Sequence, residues 1–257
     1  MRLEAKRPIA ARGRGLGGRT PLVCIPLVGK DHDAIMAEAR NVPAIAPDVI
    51  ELRIDWWDFI EDVEKSAAMV REVRKAVGDT PIILTCRGDW EGGYKKVSDE
   101  AKFAVYAAAI REELVDFVDM ELKYGQAKIG EVKAQTAGKK VSLIVSFHNF
   151  QQTPSQEEMF SIMERELQAG ADVAKLAAMP QKEEDVLAVL AATLAVRRKY
   201  PDQPVISMSM GPLGAVTRIV GGLFGSDLTF AVGSQASAPG QIPVAELRKC
   251  FEVVHQS

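Results

Sequence analysis

The sequence predicts an α/β fold, a (β/α)8 TIM barrel, and three observations predict it. Eight short apolar or β-branched runs recur along the chain. A longer amphipathic segment follows each, with apolar residues at spacings of three and four, the alternation of βα units around a parallel sheet. The 257 residues hold these units without a Pro/Ser-rich linker, low-complexity tract or shift in composition, as a closed barrel of this length does. A doubly wound open sheet shares the local pattern, and the count of eight favours the barrel. The expectation is a single domain over residues 1–257 with a leader over 1–21.

The leader "MRLEAKRPIAARGRGLGGRTP" is basic, lacks the continuous apolar core of a secretory signal, and reads as a flexible or hairpin-like extension. Its GxG precedes a strand instead of opening a helix after one, so a dinucleotide loop is not expected. The strands follow as "LVCIPLV" from Leu22, "VIELRID" from Val49, "PIILTCR" from Pro81, "FVDMEL" from Phe117, "SLIVSFH" from Ser142, "VAKLAA" from Val173, "PVISMSM" from Pro204 and "LTFAVG" from Leu228. Between them, "VEKSAAMVREVRKAV", "SDEAKFAVYAAAIREEL" and "EEDVLAVLAATLAVRRKY" have helical spacing.

Composition narrows the partners. With 47% hydrophobic and 26% charged residues and a formal net charge of −3, the chain lacks the basic excess of a nucleic-acid binder and points to a small-molecule partner. Cys24, Cys86 and Cys250 are odd in number and widely spaced, without metal-ligand rhythm, as expected of reduced thiols in a cytoplasm. No apolar run is long enough for a membrane span.

Side chains alternate along a strand, so "VIELRID" sets Ile50, Leu52 and Ile54 against Glu51, Arg53 and Asp55. In a barrel the apolar face packs under the helices and the charged face points into the lumen. The same parity pairs Thr85 with Arg87 and Ser146 with His148. Glu51, Arg53, Arg87, His148 and Lys175 thus fall at or near the C-terminal strand ends, where barrels carry chemistry. A lone lysine in an apolar run usually snorkels to water from an edge, but a barrel has no edges. "ELRID" alone could be a structural ion-pair network. Together the residues imply one polar pocket.

A nucleophilic lysine must be neutral, and nearby cations with desolvation lower its pKa. Arg53, Arg87 and Arg218 are the expected neighbours. Such a lysine forms an imine with a carbonyl and makes the substrate an electron sink. Histidine is the natural proton carrier beside it. The reaction class is proton abstraction next to a carbonyl, leading to aldol cleavage, isomerisation or loss of water.

The segments "ELRID", "TCRGDWEGG", "VSFHNFQQTP", "ADVAKLAAMPQ", "ISMSMGPLGAVTRIVGGLFGSDLTFA" and "SAPGQI" together resemble type I 3-dehydroquinate dehydratase, in the family's order and over nearly the whole chain. The resemblance implies Lys175 as the imine-forming residue, His148 as the proton carrier and Glu91 as the acid that orients it. It implies Arg218, Ser237 and Gln241 for the substrate carboxylate and loop contacts, Glu51, Arg53 and Arg87 for the ring hydroxyls, and Met208, Met210 and Phe230 as apolar walls. It also implies 3-dehydroquinate as substrate, no metal or dissociable cofactor, a cytoplasmic homodimer, and the third step of the shikimate pathway.

Pro26 stands where relatives commonly place a small hydroxyl residue and receives no role. Asn149 follows His148 where some relatives have an acid, without endangering the mechanism. The loop "SQASAPGQIP" reads as mobile. His32 and His255 lie outside the strand-end group. Asp119 and Glu121 share an inward face and are read as internal partners of the arginines, not a metal pair. A lysine-dependent aldolase on the same barrel is the nearest rival, and a catalytically silent small-molecule binder is the rival of another class.

Overall fold

Alternation along each strand builds the barrel wall. The computed structural model of the chain describes residues 2–233 and 238–255. An antiparallel hairpin, β1 (Ile9–Ala11) and β2 (Arg14–Leu16), precedes the parallel strands β3 (Leu22–Leu27), β4 (Val49–Arg53), β5 (Ile82–Thr85), β6 (Phe117–Glu121), β7 (Ser142–Asn149), β8 (Val173–Ala178), β9 (Val205–Ser209) and β10 (Leu228–Val232). Seven of these eight strands fall within their predicted runs, and β7 extends one residue past its run, to Asn149. The ladder order β10-β3-β4-β5-β6-β7-β8-β9 takes the chain once around the barrel.

The seam between β9 and β10 is closed by side chains as well as backbone. Asp227 donates its N–H to the Val205 carbonyl at 2.7 Å, and its carboxylate accepts the Val205 N–H at 2.7 Å. Ser226 Oγ accepts the Ser207 N–H at 3.0 Å. The buried guanidinium groups of Arg2 and Arg197 both pair with Asp227, so the first residues of the chain help to lock the barrel. At the opposite end, a short strand β11 (Ile242–Pro243) pairs with the top of β10 and brings Gln241 to the mouth of the barrel.

The helix layer consists of α1 (His32–Ile45), α2 (Val63–Val77), α3 (Asp99–Arg111), α4 (Gly125–Gln135), α5 (Gln156–Gln168), α6 (Glu183–Lys199), the short α7 (Gly211–Gly214) and α8 (Val216–Val220), and α9 (Val244–Val254). Asp31, Asp62, Ser98 and Ser155 start four of them, each side chain accepting a backbone N–H of the first turn, which satisfies a donor that has no partner within the helix. Ile50, Leu52 and Ile54 pack with Val70 and Val73 in the layer between wall and helices. Their neighbours Glu51 and Arg53 are buried and line the lumen pocket.

The leader plugs the lower end of the lumen. Arg12 and Gly13 have φ of 43° and 80°, the two positive values of a two-residue turn whose twist matches paired strands. Ala11 and Leu16 then pack in one apolar cluster with Leu22, Val49, Ile83, Phe117, Val173 and Leu228. An apolar floor below and a charged layer above therefore divide the lumen, and solvent reaches the charged layer from the C-terminal strand ends.

Candidate active site

Lys175 lies on β8 and is 3% exposed. Its Nζ donates to Asp119 Oδ2 at 2.6 Å and Glu51 Oε1 at 3.3 Å, and stands 4.7 Å from the centre of the Phe230 ring. Arg53, Arg87 and Arg218 line the same pocket as Lys175, but the groups in direct contact with its Nζ are carboxylates. The arginines are close, but carboxylates intervene: Arg53 makes a two-pronged pair with Asp55 at 2.9 Å. Arg87 donates to Asp119 at 2.8 Å, Glu121 at 2.9 Å and Ser146 Oγ at 2.7 Å. Burial alone would push Asp119 up, but Arg87 and Lys175 outweigh it and hold the carboxyl well below the usual range. Asp119 is thus a partner of an arginine, as read from the sequence, and of the lysine as well.

His148, near the end of β7, is held from two sides by one oxygen. Glu91 Oε2 accepts the His148 backbone N–H at 2.9 Å and lies 3.1 Å from ring Nδ1. With Nδ1–H donating to Glu91, Nε2 is left as the basic nitrogen. Burial, reinforced by the charges of Arg87 and Lys175, holds the imidazole well below its ordinary pKa, so the resting ring is neutral. Burial pushes the Glu91 carboxyl up to about 7.

The glycines of "EGG" explain how Glu91 reaches this place. Gly92 has φ of 81°, and a Cβ there would meet the Phe150 ring at 2.3 Å. A Cβ on Gly93 would meet the Arg87 carbonyl at 2.1 Å. Only glycine lets this turn fold back against β5 and place the Glu91 carboxyl beneath His148.

Arg218, on α8, is 2% exposed and has no carboxylate partner among the described residues. It donates to the carbonyls of Phe230 at 3.2 Å and Pro239 at 3.1 Å, and to Met208 Sδ at 3.6 Å. Burial lowers its pKa to about 10. A buried guanidinium held by neutral acceptors is a ready receptor for an anion entering the pocket.

One pocket joins these groups. It is lined by Glu51, Arg53, Arg87, Glu91, His148, Lys175 and Arg218, with Met208, Met210, Phe230 and Phe150 as apolar wall and Ala238 and Gln241 at the mouth. Every residue named for the site from the sequence lines it except Ser237, which lies outside the described residues. His32, exposed beside Asp33 and Glu72, and His255, against the Ile219 carbonyl, are elsewhere.

Sequence reasoning missed the support around these groups. Asp55 holds Arg53 and also accepts the N–H groups of Arg87 and Tyr94 at 3.2 and 2.9 Å. Tyr106 accepts the Cys86 N–H and donates to the Asp119 carbonyl, both at 2.7 Å. Behind β8, fully buried Glu166 accepts the Lys175 N–H at 3.0 Å, and burial raises its carboxyl well above the usual range. Lys102, also buried, pairs with Glu121 at 2.6 Å. One signal was available: Lys102 precedes Val105 and Tyr106 by three and four positions, which puts a charge on the apolar stripe of its helix.

Among the described residues, the eight parallel barrel strands β3–β10, a helix layer and a charged pocket at the C-terminal strand ends define an α/β-barrel enzyme. The chain belongs to the type I 3-dehydroquinase family, whose model matches residues 23–257. A 3-dehydroquinate dehydratase of Albidiferax ferrireducens is 39% identical over 257 residues, covering 99% of this chain and 97% of the relative. The crystal structure of 3-dehydroquinate dehydratase from Geobacillus kaustophilus superposes with a TM-score of 0.95 at 39% identity, covering 99% of this chain and 98% of the other. The type I enzyme from Clostridium difficile, solved with covalent modified comenic acid, gives a TM-score of 0.93 at 36% identity, with 98% and 99% covered.

Proposed function

We propose that this chain removes water from 3-dehydroquinate to give 3-dehydroshikimate through an imine on Lys175. The observation that carries this reading is the shared pocket: a lumen lysine, a neutral histidine steadied by a carboxylate, and a buried arginine with no carboxylate partner among the described residues. The substrate carboxylate pairs with Arg218, which relieves the burial of that charge and seats the ring against Met208, Met210 and Phe230. Gln241, Ser237 and the remaining strand-end groups complete the contacts.

Nζ gives up a proton and attacks the ketone, and that proton and a second one from the same nitrogen leave with the carbonyl oxygen as water, giving an iminium. His148 Nε2 then takes a proton from the adjacent carbon, and the electron pair moves toward the iminium nitrogen to form an enamine. Ionised Glu91 stabilises the imidazolium through Nδ1–H. As the enamine electrons return, the β-hydroxyl leaves with the proton that His148 gives back. Hydrolysis of the conjugated iminium releases product and restores the lysine. One base serves both proton transfers, so the elimination is syn. The route uses no metal or dissociable cofactor.

The experiment is direct. Mixing the protein with 3-dehydroquinate should produce the ultraviolet absorbance of a conjugated enone. Folded protein giving no enone, or products of carbon–carbon cleavage, would overturn the assignment. The resemblance also carries a cytoplasmic homodimer acting at the third step of the shikimate pathway. Light scattering at twice the 28.0 kDa chain mass is the expected result for the dimer.

A further inference from the structure

Lys102 lies on α3, in the helix layer, yet is only 2% exposed. A lysine on a helix ordinarily extends its ammonium to water. Here Nζ turns inward, donating to Glu121 Oε2 at 2.6 Å with the Tyr124 ring centre at 4.5 Å. The other Glu121 oxygen accepts Arg87 Nη1 and the Gly88 N–H, each at 2.9 Å. Gly88 immediately precedes the 3-10 turn Asp89–Glu91, so Glu121 anchors the segment that presents Glu91 to His148. Arg87 continues to Asp119 at 2.8 Å, and Asp119 to Lys175 at 2.6 Å.

The result is a buried row of alternating charge running from the helix layer to the reactive lysine. Lys102, Arg87 and Lys175 balance Glu121, Asp119 and Glu51, while Arg53 is matched separately by Asp55. Without Lys102 one carboxylate is in excess, close to the Glu91–His148 pair.

We propose that Lys102 is a positioning residue that acts through Glu121, holding it charged and aimed at Arg87 and Gly88 and thereby setting the field in which Glu91, His148 and Lys175 exchange protons. The role of that trio rests on the dehydratase reading, but the placement of Lys102 can be tested without turnover. His148 is faced by Arg53 from β4, Arg87 and Glu91 from the segment after β5, Asp119 from β6 and Lys175 from β8. Glu91 is faced by Arg87, Glu121, Asp119 and His148. Lys102 itself faces Glu121, Tyr106, Tyr124 and Cys86.

Removing the Lys102 charge makes the local potential more negative, so the Glu91–His148 pair keeps its proton to higher pH. The variant Lys102→Gln retains a hydrogen-bond donor for Glu121 and loses only the charge; Lys102→Arg retains both. The ring nitrogens of His148, assigned by comparison with His148→Ala, can be followed by NMR across a pH titration of the whole protein. The midpoint should rise in Lys102→Gln by on the order of one pH unit, the scale on which loss of a neighbouring charge shifts a buried group. Lys102→Arg should match the wild type, and the acid limb of kcat/KM should move with the NMR midpoint. The same midpoint in Lys102→Gln and wild type, or no titration in either, overturns the proposal. A wild-type protein inactive on 3-dehydroquinate counts against the dehydratase reading instead, and the NMR comparison still decides the role of Lys102.

Discussion

Replacing Arg218 with methionine should make the empty protein more stable and the enzyme far worse. The guanidinium is 2% exposed, pairs only with neutral acceptors among the described residues, and is pushed down by burial to about 10. At about 1.4 kcal/mol for each unit of pKa, this drop corresponds to roughly 3 kcal/mol of unfavourable burial. Methionine removes the charge but also forfeits the bonds to the Phe230 and Pro239 carbonyls, at about 1 kcal/mol each. The net gain of about 1 kcal/mol should raise Tm by roughly 2–4 °C in a chain of this size. Loss of the substrate's charge partner costs about 2–5 kcal/mol, a rise in KM of roughly 30-fold to several thousand-fold. Thermal unfolding with and without 3-dehydroshikimate reads both effects: the ligand should stabilise wild type and leave Arg218→Met nearly unmoved. An unliganded variant that melts several degrees below wild type, with both proteins stabilised equally by the product, would show that Arg218 is a structural residue.

The other expectations separate the roles of individual groups. His148→Ala should still form an adduct with substrate under borohydride while kcat falls by about 100-fold or more, the usual contribution of a positioned acid–base group; normal turnover would remove His148 from the mechanism. Because burial pushes Glu91 up to about 7, kcat should decline as pH falls through that value and the carboxyl takes a proton, weakening its support of the imidazolium. A pH–rate profile of Glu91→Gln should lack this inflection, and an unchanged profile would refute the link. At the barrel seam, Asp227→Ala leaves the Arg2 and Arg197 guanidinium groups buried without their carboxylate, an expected loss of about 3–5 kcal/mol in denaturant unfolding. A variant as stable as wild type would mean that backbone pairing alone closes the seam.

Much of this architecture could be read from residue order because parallel strands are buried on both faces and betray themselves as short apolar runs. Charges that interrupt such a run, as Glu51 and Arg53 do in β4, can then face only the lumen. Pairing was harder to read. Asp119 and Lys175 lie on β6 and β8 with β7 between them, so their contact depends on strand stagger and curvature, which residue spacing does not encode. The leader's role was likewise hidden, since the turn at Arg12 and Gly13 is visible locally but the apolar floor it covers is assembled from several distant strands. Lys102 escaped notice because a lysine between helical apolar positions normally reaches solvent, and only the fold brings Glu121 to meet it.

The central claim is that Lys175 becomes covalently bound to the substrate. Borohydride added during incubation with 3-dehydroquinate reduces an imine to a stable amine, and peptide mass mapping locates it. The predicted result is one adduct per chain, on Lys175, lost in Lys175→Ala. An active protein with Lys175 unmodified, or with the adduct on another lysine, would contradict the account.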